Sequence, residues 1–282
     1  ITSLLCQDWN YSADILEKKI ENNLEVRIFK SKNQTSQNVI ISRDTISIFT
    51  NQAKQYADLN ELHLIGPVLM INGLDTLNCD NMTFWYDKDS IQASGKVRFN
   101  FGDSRLTSDS LIYVETKGFR GYSFQTLGNS NLLDKKYKIT ADNILYNDDK
   151  QLMKLFSNAT VLSEKNGITG EMVNIIFNDS LIKKVDIKNN GYIYNNHYAH
   201  VNDNYQLFKD EMHGNNIEVN MIDNNLDKVS INGMGRSLYY VTNELNNLLG
   251  YNEATGDTIN LKYNNGDLNF LNILGDARGE FN

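Results

Sequence analysis

The side chains able to do chemistry are few: four histidines, two cysteines and a series of acids at near-regular intervals. His197 and His200, in the stretch HYAH, stand three residues apart, a spacing that brings two imidazoles to one metal on a helix. The residues around them read as loop or strand and supply no third ligand, so no metal centre is expected. His63 and His213 are isolated. Cys79 falls within a strand-like run, where a thiol behaves as a small buried hydrophobe. Cys6 follows ITSLL in a chain that starts without Met, as the tail of a removed export signal would. Lipidation of Cys6 would want a small residue where Leu5 stands. No disulfide framework is indicated. The chain has no glycine-rich phosphate loop, nucleophile elbow or Cys–His pair, and no cofactor is expected.

The acids say more, because of what surrounds them. In ITADNILYNDD, Ile139 to Asp149, a small residue precedes Asp142, and apolar residues lie three before it and two and four after it. The same frame fits Asp44, Asp80, Asp109, Glu171, Asn215 and Asp257, at spacings of 29 to 44 residues. Two after the mark come Ile46, Met82, Leu111, Ile144, Val173, Ile217 and Ile259; four after come Ile48, Phe84, Tyr113, Tyr146, Ile175, Val219 and Leu261. Three before come Ile41, Leu77, Leu106, Ile139, Ile168, Met212 and Ala254. Positions five apart face opposite sides of a flat strand. Both are apolar here, so a bulge or bend must lie between them, and the small residue before the acid suits one. The acids therefore read as exposed corner markers, not as catalytic carboxylates: they recur in every unit instead of gathering in one.

The elements that carry these marks read as strands. KVRFNFG, SLIYVET and NIEVNMI alternate apolar and polar residues, with turn signals such as YNDDK, IDNN and YNNGD between them. The only proline is Pro67, and scarce proline favours uninterrupted sheet. Returning strands are expected at SIQASGKVRF, QLMKLFSNATVL, SLIKKVDI, NLDKVSINGM and DLNFLNIL. Residues 11–30 hold the best helix candidate, with Ile15, Leu16, Ile20 and Leu24 toward one face, although NLEVRIFK reads equally as a first strand. TNQAKQYADLNELHLI suggests a loop or short helix, followed by a strand pair at LHLIGPVLMI. The larger gaps near 188–211 and 236–252 suggest inserted loops. A period of this size signals stacked supersecondary units sharing one apolar interior. The formal charge of −8 argues against a nucleic-acid footprint and against adhesion to an anionic membrane, and no apolar run approaches the roughly 20 residues of a spanning helix.

The stretch from Ile139 to Gly191, with Ala141, Asp142, Ile144 and Tyr146, then Ala159 and Val161, then Ile168, Gly170 and Glu171, resembles the OstA-like (organic-solvent-tolerance) family. LNCDNMTFWYDKDSIQASGKVRF and LTSDSLIYVETKGFRG repeat the pattern. The family includes periplasmic bridge proteins of lipopolysaccharide transport and the N-terminal domain of the outer-membrane translocon. The resemblance is good from about residue 75 to 190 and looser from 205 to 279. It implies an all-β fold, an elongated twisted β-jellyroll of stacked antiparallel strand pairs, open at both ends. It also implies a non-enzymatic role: lipopolysaccharide acyl chains would travel in an apolar groove, in the periplasm or at the periplasmic face of the outer membrane of a Gram-negative-type bacterium. Other jellyroll transport proteins, or further copies of the chain, would join by strand addition. The expected groove residues are Ile48, Phe84, Leu111, Tyr113, Ile144, Tyr146, Val161, Val173, Ile175, Ile217, Val219, Ile259 and Leu261. The expected organisation is a leader remnant or extension over 1–20 and one domain over 21–282, with sub-blocks 38–190 and 205–282; the ending GDARGEFN looks cut short. Two other readings stand beside this one: a structural or adhesive β-solenoid with a dry core, and a carbohydrate-active enzyme.

Overall fold

A computed structural model describes residues 9–33, 36–115, 122–178, 181–202, 204–223, 225–264 and 267–282; Cys6 lies outside them. The chain divides into two compact units, Ile1–Lys135 and Lys136–Asn282. Both are built from antiparallel ladders between strands that follow one another in sequence, so the all-β expectation is borne out. Among the described residues no helix is long and apolar enough to cross a membrane.

In the first unit the helix expected over 11–30 is instead a hairpin, Ile15–Glu21 against Leu24–Lys30. Asn22 and Asn23 turn it with φ of 51° and 65°, the left-handed pair that a two-residue hairpin demands. Leu24, Val26 and Ile28 alternate inward, and that period of two prevails over the partial helical spacing of Ile15, Leu16 and Ile20. The next ambiguous stretch resolves into the strand Gln52–Tyr56, a single 3-10 turn Ala57–Leu59 and one strand, Glu61–Asn72, where a strand pair was expected. That strand bends at Gly66 and Pro67, where the ladder to Asp75–Trp85 skips from Ile65 to Val68. Pro67 therefore sits at a bulge, where its missing donor is not needed. Ser90–Phe101, Ser104–Glu115 and Tyr122–Leu127 continue the meander. The domain boundary placed at residue 20 falls inside the strand Ile15–Glu21.

In the second unit Leu152–Leu162 and Asn166–Asn178 lead into four long strands, Leu181–Val201, Asn204–Ile222, Asn225–Thr242 and Leu248–Asn264. The strands Asp267–Leu274 and Arg278–Phe281 then pair with the last of these. The loops expected near 188–211 and 236–252 are mostly strand: Leu181–Val201 runs 21 residues, and the lengthened repeat extends the arms of the hairpins.

The corners have a common construction. Each acid or Asn sits opposite a bulge in the following strand, or opposite the break between the next two strands. Asp80 faces Gly95–Lys96, Asp109 faces Gly128–Asn129, Asp142 faces Ser157–Asn158 and Glu171 faces Asn189–Asn190. Asn215 faces Gly233–Met234 and Asp257 faces Gly275–Asp276. Both bulge residues have positive φ in every case. The acid side chain closes over this bulge: a Cβ at Gly95 would lie 2.6 Å from the Asp80 carboxylate. The small residue before the acid serves a different need from the bend assigned to it above. It lies inside the corner, against an apolar residue of the next strand, so that a Cβ at Gly214 would collide with the Ile231 methyl. The first repeat mark is corrected by the structure: Asp44 lies in the hairpin turn between Val39–Arg43 and Ile46–Thr50. The corner of that unit is Asn51, opposite Gly66, 29 residues before Asp80. Arg43, the one large residue in the small column, marked the misfit.

Candidate functional site

Bending every strand at its corner folds its two halves over each other, and apolar columns from both halves meet inside. Ile41, Ile48, Leu106, Leu111, Ile144, Val173, Ile217 and Ile259 are all buried. In the first unit the interior is filled by rings. Phe84 meets Trp9 edge-on at 5.3 Å, and Tyr113 lies among Phe99, Phe101, Tyr122 and Phe124. Burial pushes the Tyr113 phenol up to about 12 and the Cys79 thiol likewise, so Cys79 is inert at neutral pH.

In the second unit the halves stand apart around a cavity of about 500 Å³, within the range of small-molecule sites. Of the expected groove residues, Val161, Ile175 and Val219 line it. Ile144, Val173, Ile217, Ile259 and Leu261 are buried without lining it. Tyr146 is half-buried, and its hydroxyl donates to Asp148 at 2.8 Å. Ile48, Phe84, Leu111 and Tyr113 belong to the first unit.

The cavity also has residues outside those columns. Three strands converge on Asp210, which is only 6% exposed. The Tyr240 backbone N–H donates to its Oδ1 at 2.9 Å, the Asn195 amide to its Oδ2 at 3.4 Å, and His197 Nδ1 lies 3.3 Å from Oδ2. Burial pushes the Asp210 carboxyl above its usual range, against the opposing pull of these donors. Across the cavity Tyr263 is buried, with a hydroxyl that has no partner, and burial raises its pKa. The strand turns His197 and His200 to opposite faces. His200 packs edge-on against Tyr205 at 4.2 Å, and no group of three potential metal ligands occurs among the described residues. Asn195, Asp210, Tyr240 and Tyr263 were not legible as site residues. Their only sequence signal is a lengthened repeat in which polar residues take inward positions.

Fold and cavity together define an antiparallel β-repeat protein whose bent strands enclose a cavity with both apolar and polar lining. Residues 60–179 match the family model described as LptA/(LptD N-terminal domain) LPS transport protein. The resemblance to lipopolysaccharide-transport proteins is thereby borne out over that stretch. Among solved structures the chain is similar to LptH, the LptA-homologous periplasmic component of the lipopolysaccharide transport device of Pseudomonas aeruginosa. The two share 14% identity and a TM-score of 0.24, over 49% of this chain and 79% of that one. No curated protein matches the chain.

Proposed function

We propose that this chain is a lipopolysaccharide-transport component. It carries acyl chains inside its second unit, in the periplasm or at the periplasmic face of the outer membrane of a Gram-negative-type bacterium, and it passes them on without covalent chemistry. The observation that carries this reading is the cavity itself. Ile175, Val185, Val219 and Val229 give it an apolar wall, and a methylene entering such a wall from water gains roughly 0.8 kcal/mol. The family match over residues 60–179 supports the same reading. Assembly with jellyroll partners or with further copies would use an open ladder. The strand Ile15–Glu21 pairs with Leu24–Lys30 on one side, and among the described residues no ladder covers its other edge. Such edges accept a partner strand.

The first unit supports the dry-core reading for its own interior, because stacked rings occupy the space that the second unit leaves open. A photo-reactive amino acid placed at Val219, or at its outward neighbour Glu218, tests the proposal in a lipopolysaccharide-producing host. Lipid is expected to crosslink at 219 and not at 218. Equal, negligible labelling at both positions would sink the acyl-chain reading and favour a dry core throughout.

A further inference from the structure

The two walls of the cavity differ in kind, and the difference restricts what can be bound. One wall is hydrocarbon, with Ile182, Val185, Met221 and Leu226; the other presents Asn195, His197, Asp210 and Tyr240. A bare alkyl chain filling the whole space would leave polar groups facing hydrocarbon, which is unfavourable. Asp210 is a buried carboxylate, and no lysine or arginine lines the cavity among the described residues. A second anion brought beside it would meet repulsion with no countercharge. Tyr263 lines the same space at 5% exposure, and its hydroxyl has no acceptor within the protein. A ligand oxygen would complete it.

We infer that the cavity selects acyl chains attached through a neutral ester or amide over free fatty-acid carboxylates. The tail lies on the apolar wall, and the linkage carbonyl accepts the Tyr263 hydroxyl as the walls part slightly around it. This deepens the acyl-carrying reading and rests on it. Asp210, with its ring of donors, sets the sign of the selection, and Tyr263 supplies the hydrogen bond.

The test uses the full chain at pH 7.5, loaded with the uncharged dye N-phenyl-1-naphthylamine. N-methyltetradecanamide and tetradecanoate compete for the site. The amide is expected to displace the dye at a concentration about 10-fold lower than tetradecanoate. Asp210→Asn should tighten tetradecanoate and narrow the gap. Tyr263→Phe should weaken the amide about 2- to 10-fold and leave tetradecanoate unchanged. The comparison in the unaltered protein needs no variant to fold. Equal displacement by both ligands overturns the selectivity while leaving the acyl reading intact. An unchanged amide affinity in Tyr263→Phe overturns the role of that hydroxyl. Displacement by neither ligand removes the acyl reading as well.

Discussion

Asp210 shows how a single residue ties the site to the stability of the sheet around it. Burial raises its folded-state carboxyl pKa, so ionising it costs more in the folded chain than in the unfolded one. The favourable contribution is therefore present at low pH and is lost as pH rises through the folded-state value, starting from the ordinary aspartate range near 4. Asp210→Asn removes that titration. In thermal melts from about pH 3.5 to 7, the unaltered protein should lose stability relative to Asp210→Asn as pH rises, whatever the offset between them at the acid end. The surface pairs, such as Lys184 with Glu218 at 3.0 Å, are common to both proteins and cancel in the difference. Parallel pH profiles would show that Asp210 does not titrate in this window.

At the scale of the strand, the corner is the repeated device. An acid on one strand closes over a left-handed bulge on the next, and a small residue beside the acid lets the neighbouring apolar column come close. Gly214 makes the argument testable. A methyl added there meets Ile231, which is itself buried. Gly214→Ala should therefore cost about 1–3 kcal/mol by overpacking, read as a lower urea midpoint with an unchanged m-value. With the obstructing methyl removed as well, the double change Gly214→Ala with Ile231→Ala should cost less than the sum of the two single losses. Strictly additive losses would mean that the two residues do not press on each other.

For the whole molecule, the proposed site of assembly is the exposed ladder edge. Ile15–Glu21 presents Leu16 at 59% exposure and Ile20 at 79%, and an unprotected apolar edge strand invites pairing. The double change Leu16→Lys with Ile20→Lys should shift sedimentation toward monomer at concentrations where the unaltered chain associates, leaving circular dichroism unchanged. Identical association in both proteins would place the contact elsewhere. The same change should leave lipid crosslinking at Val219 unaffected, because the cavity belongs to the second unit and the edge strand to the first.

The repeat and its inward columns could be read from the sequence, because alternation and residue size act locally. Ile144, Val173 and Ile217 are buried where their spacing put them, and Asp142 and Glu171 sit at corners because two residues of one face cannot be five apart without a bend. The hairpin at Asn22–Asn23 and the displaced first corner at Asn51 were misread for local reasons too: a partial helical spacing in one case and a misleading apolar match around Asp44 in the other. The cavity was decided only by the tertiary structure. Whether two apolar columns touch or stand apart depends on arm length and on residues from strands far apart in sequence. The inward polar residues that mark the site, Asn195, His197 and Asp210, break the alternation by which a strand is recognised. They are stable there because a third strand delivers the Tyr240 amide, a partner that no single-strand pattern can announce.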